Sequence, residues 1–323
     1  MLMAVIQLVA GFLLLVWGAD RLVAGASAFA RNMGVSPLVI GLTIIGFGTS
    51  APELVVSAVA TLKGNAGLAV GNAIGSNIAN MGLVLGITAL IYPLRLESNA
   101  LKREYPMLLL VMLVCFWMAL NGNYSHLEGW ILIAALFAVI VWIIRIGLYR
   151  PLSDPLAEEF DAEIPKNVPT RTAVFWLLVG LVVLPVSSTF LVDGAVTMAR
   201  HLGVTDTVIG LTVVALGTSL PELATAITAA LHREDDLAIG NIIGSNIFNL
   251  LGVLGIAAVI HPVEIESIIL ARDFPVMFLI TGALYLMASK FSGPGRIGRR
   301  SGSALLLMFV SYFVVIWMSS SHI

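Results

Sequence analysis

Gly46-Phe-Gly-Thr-Ser-Ala-Pro-Glu53 returns 169 residues later as Ala215-Leu-Gly-Thr-Ser-Leu-Pro-Glu222, and each copy sets one carboxylate among apolar residues. The likeness extends well beyond the motif. Residues 34–93 align with residues 203–262 without a gap, and roughly half of the paired positions are identical. The chain is therefore an internal duplication, and any architecture proposed for it must be built twice.

Composition sets the solvent for that architecture. Hydrophobic residues make up 59% of the chain and charged residues 11%, with a mean hydropathy of +1.00, which belongs to a membrane protein. A net charge of −2 and the lack of a basic run give no reason to expect nucleic acid as a partner. The single cysteine, Cys115, excludes an intrachain disulfide framework and reads as a packing residue. Residues 1–19 lack the basic start of a signal peptide and read as part of the first span.

About 20 apolar residues are needed for a helix to cross the hydrocarbon core. That ruler predicts ten spans, at residues 2–30, 36–62, 67–91, 104–120, 127–149, 172–199, 205–231, 237–261, 269–288 and 303–319. The runs are too long for barrel strands and lack their alternation, so the fold class expected is an all-α membrane protein. Its ten transmembrane helices form two inverted five-helix repeats, residues 1–150 and 172–323, because an odd number of spans makes the second copy enter from the opposite side.

Residues 151–171, with Asp154, Glu158, Glu159, Asp161 and Glu163 among prolines, read as a solvated acidic cytoplasmic linker. Loops after spans one, three, five, seven and nine hold Arg31, Arg95, Lys102, Arg103, Arg145, Arg150, Lys166, Arg171, Arg233, Lys290, Arg296, Arg299 and Arg300. The other face holds Lys63, Arg200 and Arg272. By the positive-inside rule both termini lie outside the cytoplasm of a multi-pass plasma membrane protein, the inner membrane of a bacterium.

The repeated motif has a chemistry of its own. Proline removes an N–H and crowds the preceding turn, and the carbonyls so freed are tolerated at membrane depth only in a cavity or inside protein. Thr49, Ser50, Thr218 and Ser219 add hydroxyls just ahead of Glu53 and Glu222. An intramembrane glutamate is costly and by default functional. An all-oxygen ligand set suits Na⁺ and Ca²⁺ and is poor for zinc or copper.

The helix that follows carries Gly71-Asn-Ala-Ile-Gly-Ser-Asn-Ile-Ala-Asn80 in one repeat and Gly240-Asn-Ile-Ile-Gly-Ser-Asn-Ile-Phe-Asn249 in the other. Asn72, Ser76 and Asn80 form a stripe at i, i+4 and i+8, as do Asn241, Ser245 and Asn249. Gly71 with Gly75, and Gly240 with Gly244, permit a close approach to a broken helix. Asn77 and Asn246 point off the stripe and could equally tie helices together. Asp20 is expected to pair with Arg21 or cap a span, and no chemistry is assigned to His201, His232 or His261.

With these motifs in place the chain resembles the calcium/cation antiporters, in their prokaryotic Na⁺/Ca²⁺ exchanger branch. The resemblance covers nearly the whole chain and implies ion sites on helices 2, 3, 7 and 8, past which helices 1 and 6 slide. It also implies roles. Glu53 and Glu222 are Ca²⁺ and Na⁺ ligands, and the carbonyls of Thr49 and Thr218 complete the Ca²⁺ site. Ser50, Ser76, Ser219 and Ser245, with the carbonyls of Gly46 and Ala215, serve Na⁺, while Asn80 and Asn249 close the centre. Asn249 stands where K⁺-dependent relatives resemble an aspartate version, which speaks against K⁺ dependence.

The function expected is secondary antiport of Ca²⁺ against Na⁺ by alternating access, exporting Ca²⁺, by a single chain without enzymatic activity or a cofactor. H⁺ coupling within the same fold stays open as the alternative. A cation channel is the rival from another class, disfavoured because inverted repeats with broken helices fit alternating access.

Overall fold

A computed structural model of the chain describes residues 2–35, 40, 44–45, 48–96, 101–148, 161, 164–288 and 295–320. Among the described residues, eight helices are long and apolar enough to cross a membrane. They are α1 (Leu2–Asn32), α3 (Ala66–Ile91), α5 (His126–Leu148), α6 (Thr170–Leu202), α7 (Asp206–His232), α8 (Asp235–Ile260), α9 (Ile269–Met287) and α10 (Arg299–Ser320). The shorter apolar helices α2 (Ala51–Leu62) and α4 (Leu101–Ala119) stand where the second and fourth spans were expected. The expected span 36–62 is thus described as a helix only in its second half, and most of its first half lies outside the described residues.

The repeat mates α1 and α6 pack side by side and antiparallel. A β-carbon on Gly11 would lie 2.9 Å from the Leu191 nitrogen, and one on its mate Gly180 would lie 2.6 Å from the Leu22 β-carbon. Leu191 and Leu22 are themselves mates at the 169-residue offset, as are Gly25 and Gly194, which meet Leu177 and Leu8 in the same reciprocal way. Glycine at these positions lets two 30-residue helices touch along their length, the small-residue packing that substitutes for hydrophobic drive in lipid. Leu8, Leu15, Leu184, Leu191 and Val192 of this pair form an apolar cluster with Val56 and Ala60 of α2, separate from the larger cluster of the remaining helices.

Two short strand pairs correct the expectation of a purely helical chain. β1 (Leu94–Leu96) pairs with β4 (Gly295–Ile297), and β2 (Asn123–Tyr124) pairs with β3 (Val263–Glu264), both antiparallel. Leu94, Ile297, Tyr124 and Val263 are buried, and a buried connecting backbone needs partners for its N–H and C=O groups. The first pair joins the loop after α3 to the loop after α9. The second joins the loop after α4 to the loop after α8.

Some of the linker's described residues are tied to α1. Asp161 meets Arg31 at 2.8 Å and Lys166 at 2.9 Å. The hydrogen bond from Lys166, helped by both positive charges, holds its carboxyl below the usual range. Ile164 is buried and its carbonyl accepts from Arg31, while Asn32 donates to the Val168 carbonyl at 2.9 Å. Asp154, Glu158, Glu159 and Glu163 lie outside the described residues.

Candidate functional site

The two motifs break their helices in the same way. Ser50 has φ −88° and ψ 5°, and Ser219 has φ −82° and ψ 4°. Pro52 and Pro221 then sit in the first turn of the restarting helix, where a missing N–H costs nothing. Leu54 and Leu223 donate back to the Ser50 and Ser219 carbonyls at 3.2 and 3.1 Å. Among the described residues no backbone N–H donates to the carbonyl of Thr49. The Ala215 carbonyl accepts from the Ser219 N–H at 3.1 Å and from the Thr218 hydroxyl at 3.4 Å. Gly46 lies outside the described residues.

Each broken helix faces the asparagine-rich helix of the other repeat. The Thr49 hydroxyl donates to Asn241 Oδ1 at 3.5 Å and lies 3.3 Å from the Ser245 hydroxyl. Its mate Thr218 donates to Asn72 Oδ1 at 3.0 Å and lies 3.4 Å from the Ser76 hydroxyl. The contact is close because Gly75 has no side chain, where a β-carbon would lie 2.7 Å from the Leu211 carbonyl. Asn72 also ties the site to its own repeat, donating to the Glu53 carbonyl at 3.3 Å and to Ser57 at 3.0 Å.

Glu53 and Glu222 are fully buried at the centre. Ser50 and Ser245 each donate to Glu222 Oε1 at 3.4 Å. Glu53 Oε1 and Oε2, Glu222 Oε2, Asn80 Oδ1, Ser219 Oγ and both amide atoms of Asn249 are buried with no hydrogen-bond partner among the described residues. Unpaired buried carboxylate oxygens are expensive, and so many around one point need a common partner.

The oxygen spacing is compatible with a cation as that partner. Elsewhere in the chain, buried hydroxyls bond at ordinary distances, Thr61 to the Ser57 carbonyl at 2.8 Å and Thr88 to the Val84 carbonyl at 2.7 Å. In the site four oxygen pairs, Thr49–Ser245, Ser50–Glu222, Ser76–Thr218 and Ser245–Glu222, stand 3.3–3.4 Å apart, while Thr218 also bonds Asn72 Oδ1 at 3.0 Å. Oxygens bound to one cation at about 2.4 Å lie about 3.4 Å from one another in an octahedral arrangement. The cluster is an oxygen-rich set of carboxylates, hydroxyls and amides, the donor chemistry that suits hard cations such as Ca²⁺ and Na⁺.

Four residues outside the expected ligand set join the cluster: Asn72, Asn241, Ser57 and Asn246. Asn72 and Asn241 belong to the stripe already read. Asn246, placed off the stripe, accepts from Asn80 at 3.0 Å and donates to the Asn77 carbonyl at 3.2 Å. Asn80 and Asn249 each open a π-helical turn, Asn80–Val84 and Asn249–Val253, a distortion frequent at functional sites. Asp20 pairs with Arg21 as expected, at 3.1 Å, whereas Asp193 meets Lys63 at 2.6 Å.

Comparison with known proteins agrees with this geometry. The family described as sodium/calcium exchanger protein matches residues 3–145 and 172–318. A protein of Alkalimonas amylolytica named as antiporter CaxA is 46% identical, over 99% of this chain and all of that protein. The sodium/calcium exchanger MaX1 of Methanosarcina acetivorans is 30% identical over 96% of this chain and 97% of its own. Among solved structures, the sodium-calcium exchanger NCX_Mj soaked with Na⁺ and Sr²⁺ superposes with a TM-score of 0.67 at 33% identity, covering 97% of this chain and 98% of that one.

Proposed function

Because the chain belongs to the sodium/calcium exchanger protein family, a family of membrane antiporters and not of enzymes, we propose that this cation/Ca²⁺ antiporter uses Na⁺ as the coupling ion and exports Ca²⁺. The observation that carries the reading is the pair of buried carboxylates, Glu53 and Glu222, inside one oxygen cluster contributed by both repeats. Two negative charges in a low dielectric repel, so the site favours being filled. One Ca²⁺ neutralises the pair and two Na⁺ do the same. A third Na⁺ at the hydroxyls would make exchange electrogenic.

In this reading Glu53 and Glu222, with the Thr49 and Thr218 carbonyls, hold Ca²⁺. Ser50, Ser76, Ser219 and Ser245, with the Ala215 and Gly46 carbonyls, serve Na⁺, and Asn80 and Asn249 close the centre. The chain forms ten spans in two inverted halves, 1–150 and 172–323, joined by residues 151–171. The antiparallel mates α1 and α6 support that arrangement, as do the strand pairs, which tie loops of opposite repeats together on two faces separated by α4. The same α1–α6 pair, whose helices pack on each other along their length, is the unit that slides past the site. Both termini lie outside the cytoplasm of the inner membrane, and one chain suffices.

⁴⁵Ca²⁺ uptake into proteoliposomes loaded with Na⁺ or with K⁺, at equal pH and with a protonophore present, tests the coupling ion. Uptake only from Na⁺-loaded vesicles is expected. Uptake that ignores Na⁺ but appears when an inside-acid pH gradient is imposed without the protonophore would transfer the coupling to H⁺.

A further inference from the structure

A cavity of about 420 Å³ runs from Pro165 of the linker to Thr49 at the ion cluster. One face of α1 lines it with Asp20, Ala24 and Ser27, at i, i+4 and i+7, and the second half of α7 lines it with Thr225 and Thr228. The Asp20 side chain is 62% exposed, and the Ser27 hydroxyl is buried without a partner among the described residues. At the equivalent positions of the other repeat, Val192, Val196 and Val56 are buried members of one apolar cluster. The cavity thus leads toward the site from the linker side.

The two sides share a feature that the internal repeat does not require. The mate of Asp20 is Thr189 and the mate of Asp193 is Ala24, a residue that lines the cavity. Each vestibule therefore carries one carboxylate on the same face of its sliding helix, displaced by one turn. An acid inside a span is costly and calls for a function, and neither acid reaches the ion cluster by any described contact. On the opposite side Asp193 is held by Lys63 at the end of α2, at 2.6 Å.

We propose that Asp20 gathers cations into the vestibule on the linker side, and that Asp193 does the same on the opposite side once that vestibule opens. Both are positioning residues, because they raise the local cation concentration without ligating the transported ion in the site. The inference rests on the antiport reading above. A unit charge several ångströms from the ion path raises a monovalent cation's concentration roughly two- to threefold, and a divalent cation's by the square of that factor. Arg21, 3.1 Å from Asp20 and stacked over Trp176 at 5.1 Å, damps this field.

Right-side-out and inverted vesicles from cells producing the full chain present the two faces separately. In Asp20→Asn the half-saturating Ca²⁺ concentration is expected to rise roughly four- to ninefold on the linker face, and that of Na⁺ two- to threefold. The maximal rate and the opposite face stay unchanged, and the shift shrinks as choline chloride screens the charge. Arg21→Gln moves the linker-face values the other way, and Asp193→Asn shifts the opposite face alone. Equal shifts on both faces, a lost rate with unchanged half-saturation, or a Ca²⁺ shift no larger than that of Na⁺ would overturn the proposal. Were wild-type Ca²⁺ flux indifferent to Na⁺, the coupling ion would be wrong while the sided Ca²⁺ values still judged Asp20.

Discussion

Asn249 buries both ends of its amide with no protein partner among the described residues, which costs about 1–3 kcal/mol per unsatisfied group. If that cost is offset by a bound ion, Asn249→Leu leaves thermal stability equal or higher and weakens Ca²⁺-dependent transport. A melting temperature lowered by several degrees with unchanged ion affinity would make the amide structural. Ser50 and Ser219 are argued in the same way. Replacing either with Ala removes a hydroxyl assigned to Na⁺, so the half-saturating Na⁺ concentration rises by up to about tenfold, with a smaller change for Ca²⁺. The duplicated motif made both glutamates and these hydroxyls legible, since two acids at matching depth have few other uses. For Asn246 the tie between helices was one of two open readings, and periodicity could not name its partner, Asn80 of the other repeat.

At the scale of the element, the long helices were readable from apolar length, and the breaks at Ser50 and Ser219 from the proline two residues on. The π turns at Asn80 and Asn249 carry no comparable signal in the sequence. The intimacy of α1 and α6 shows only once Gly11 and Gly180 are seen against Leu191 and Leu22. Adding bulk there overpacks a contact that has no room, at about 1–3 kcal/mol. Gly180→Val is expected to lower the melting temperature in detergent and to slow exchange while leaving ion affinity alone, because the helix pair does not ligate. An unchanged rate and melting temperature would remove the pair from the moving machinery.

For the whole molecule, the repeat and the Lys and Arg asymmetry predict an arrangement that strand pairing supports from a different direction. Loops after α3 and α9 share one face, and loops after α4 and α8 share the other. In a Cys115→Ala background, a cysteine replacing Lys166 should react with an impermeant thiol reagent only from the cytoplasm, and one replacing the exposed Asn121 only from outside. Reaction of both from one side would undo the topology. The small sheets themselves were invisible in the sequence, being two or three residues long and defined by partners about 140 to 200 positions away.

The central claim is that two carboxylates, one from each repeat, make a single cation site. It is tested most directly by Na⁺-driven ⁴⁵Ca²⁺ uptake in Glu53→Gln and Glu222→Gln, each first shown to be folded by its size-exclusion profile and melting curve. The account predicts that either substitution alone abolishes exchange, because each removes half of the charge that Ca²⁺ neutralises. Substantial exchange in either variant would contradict it.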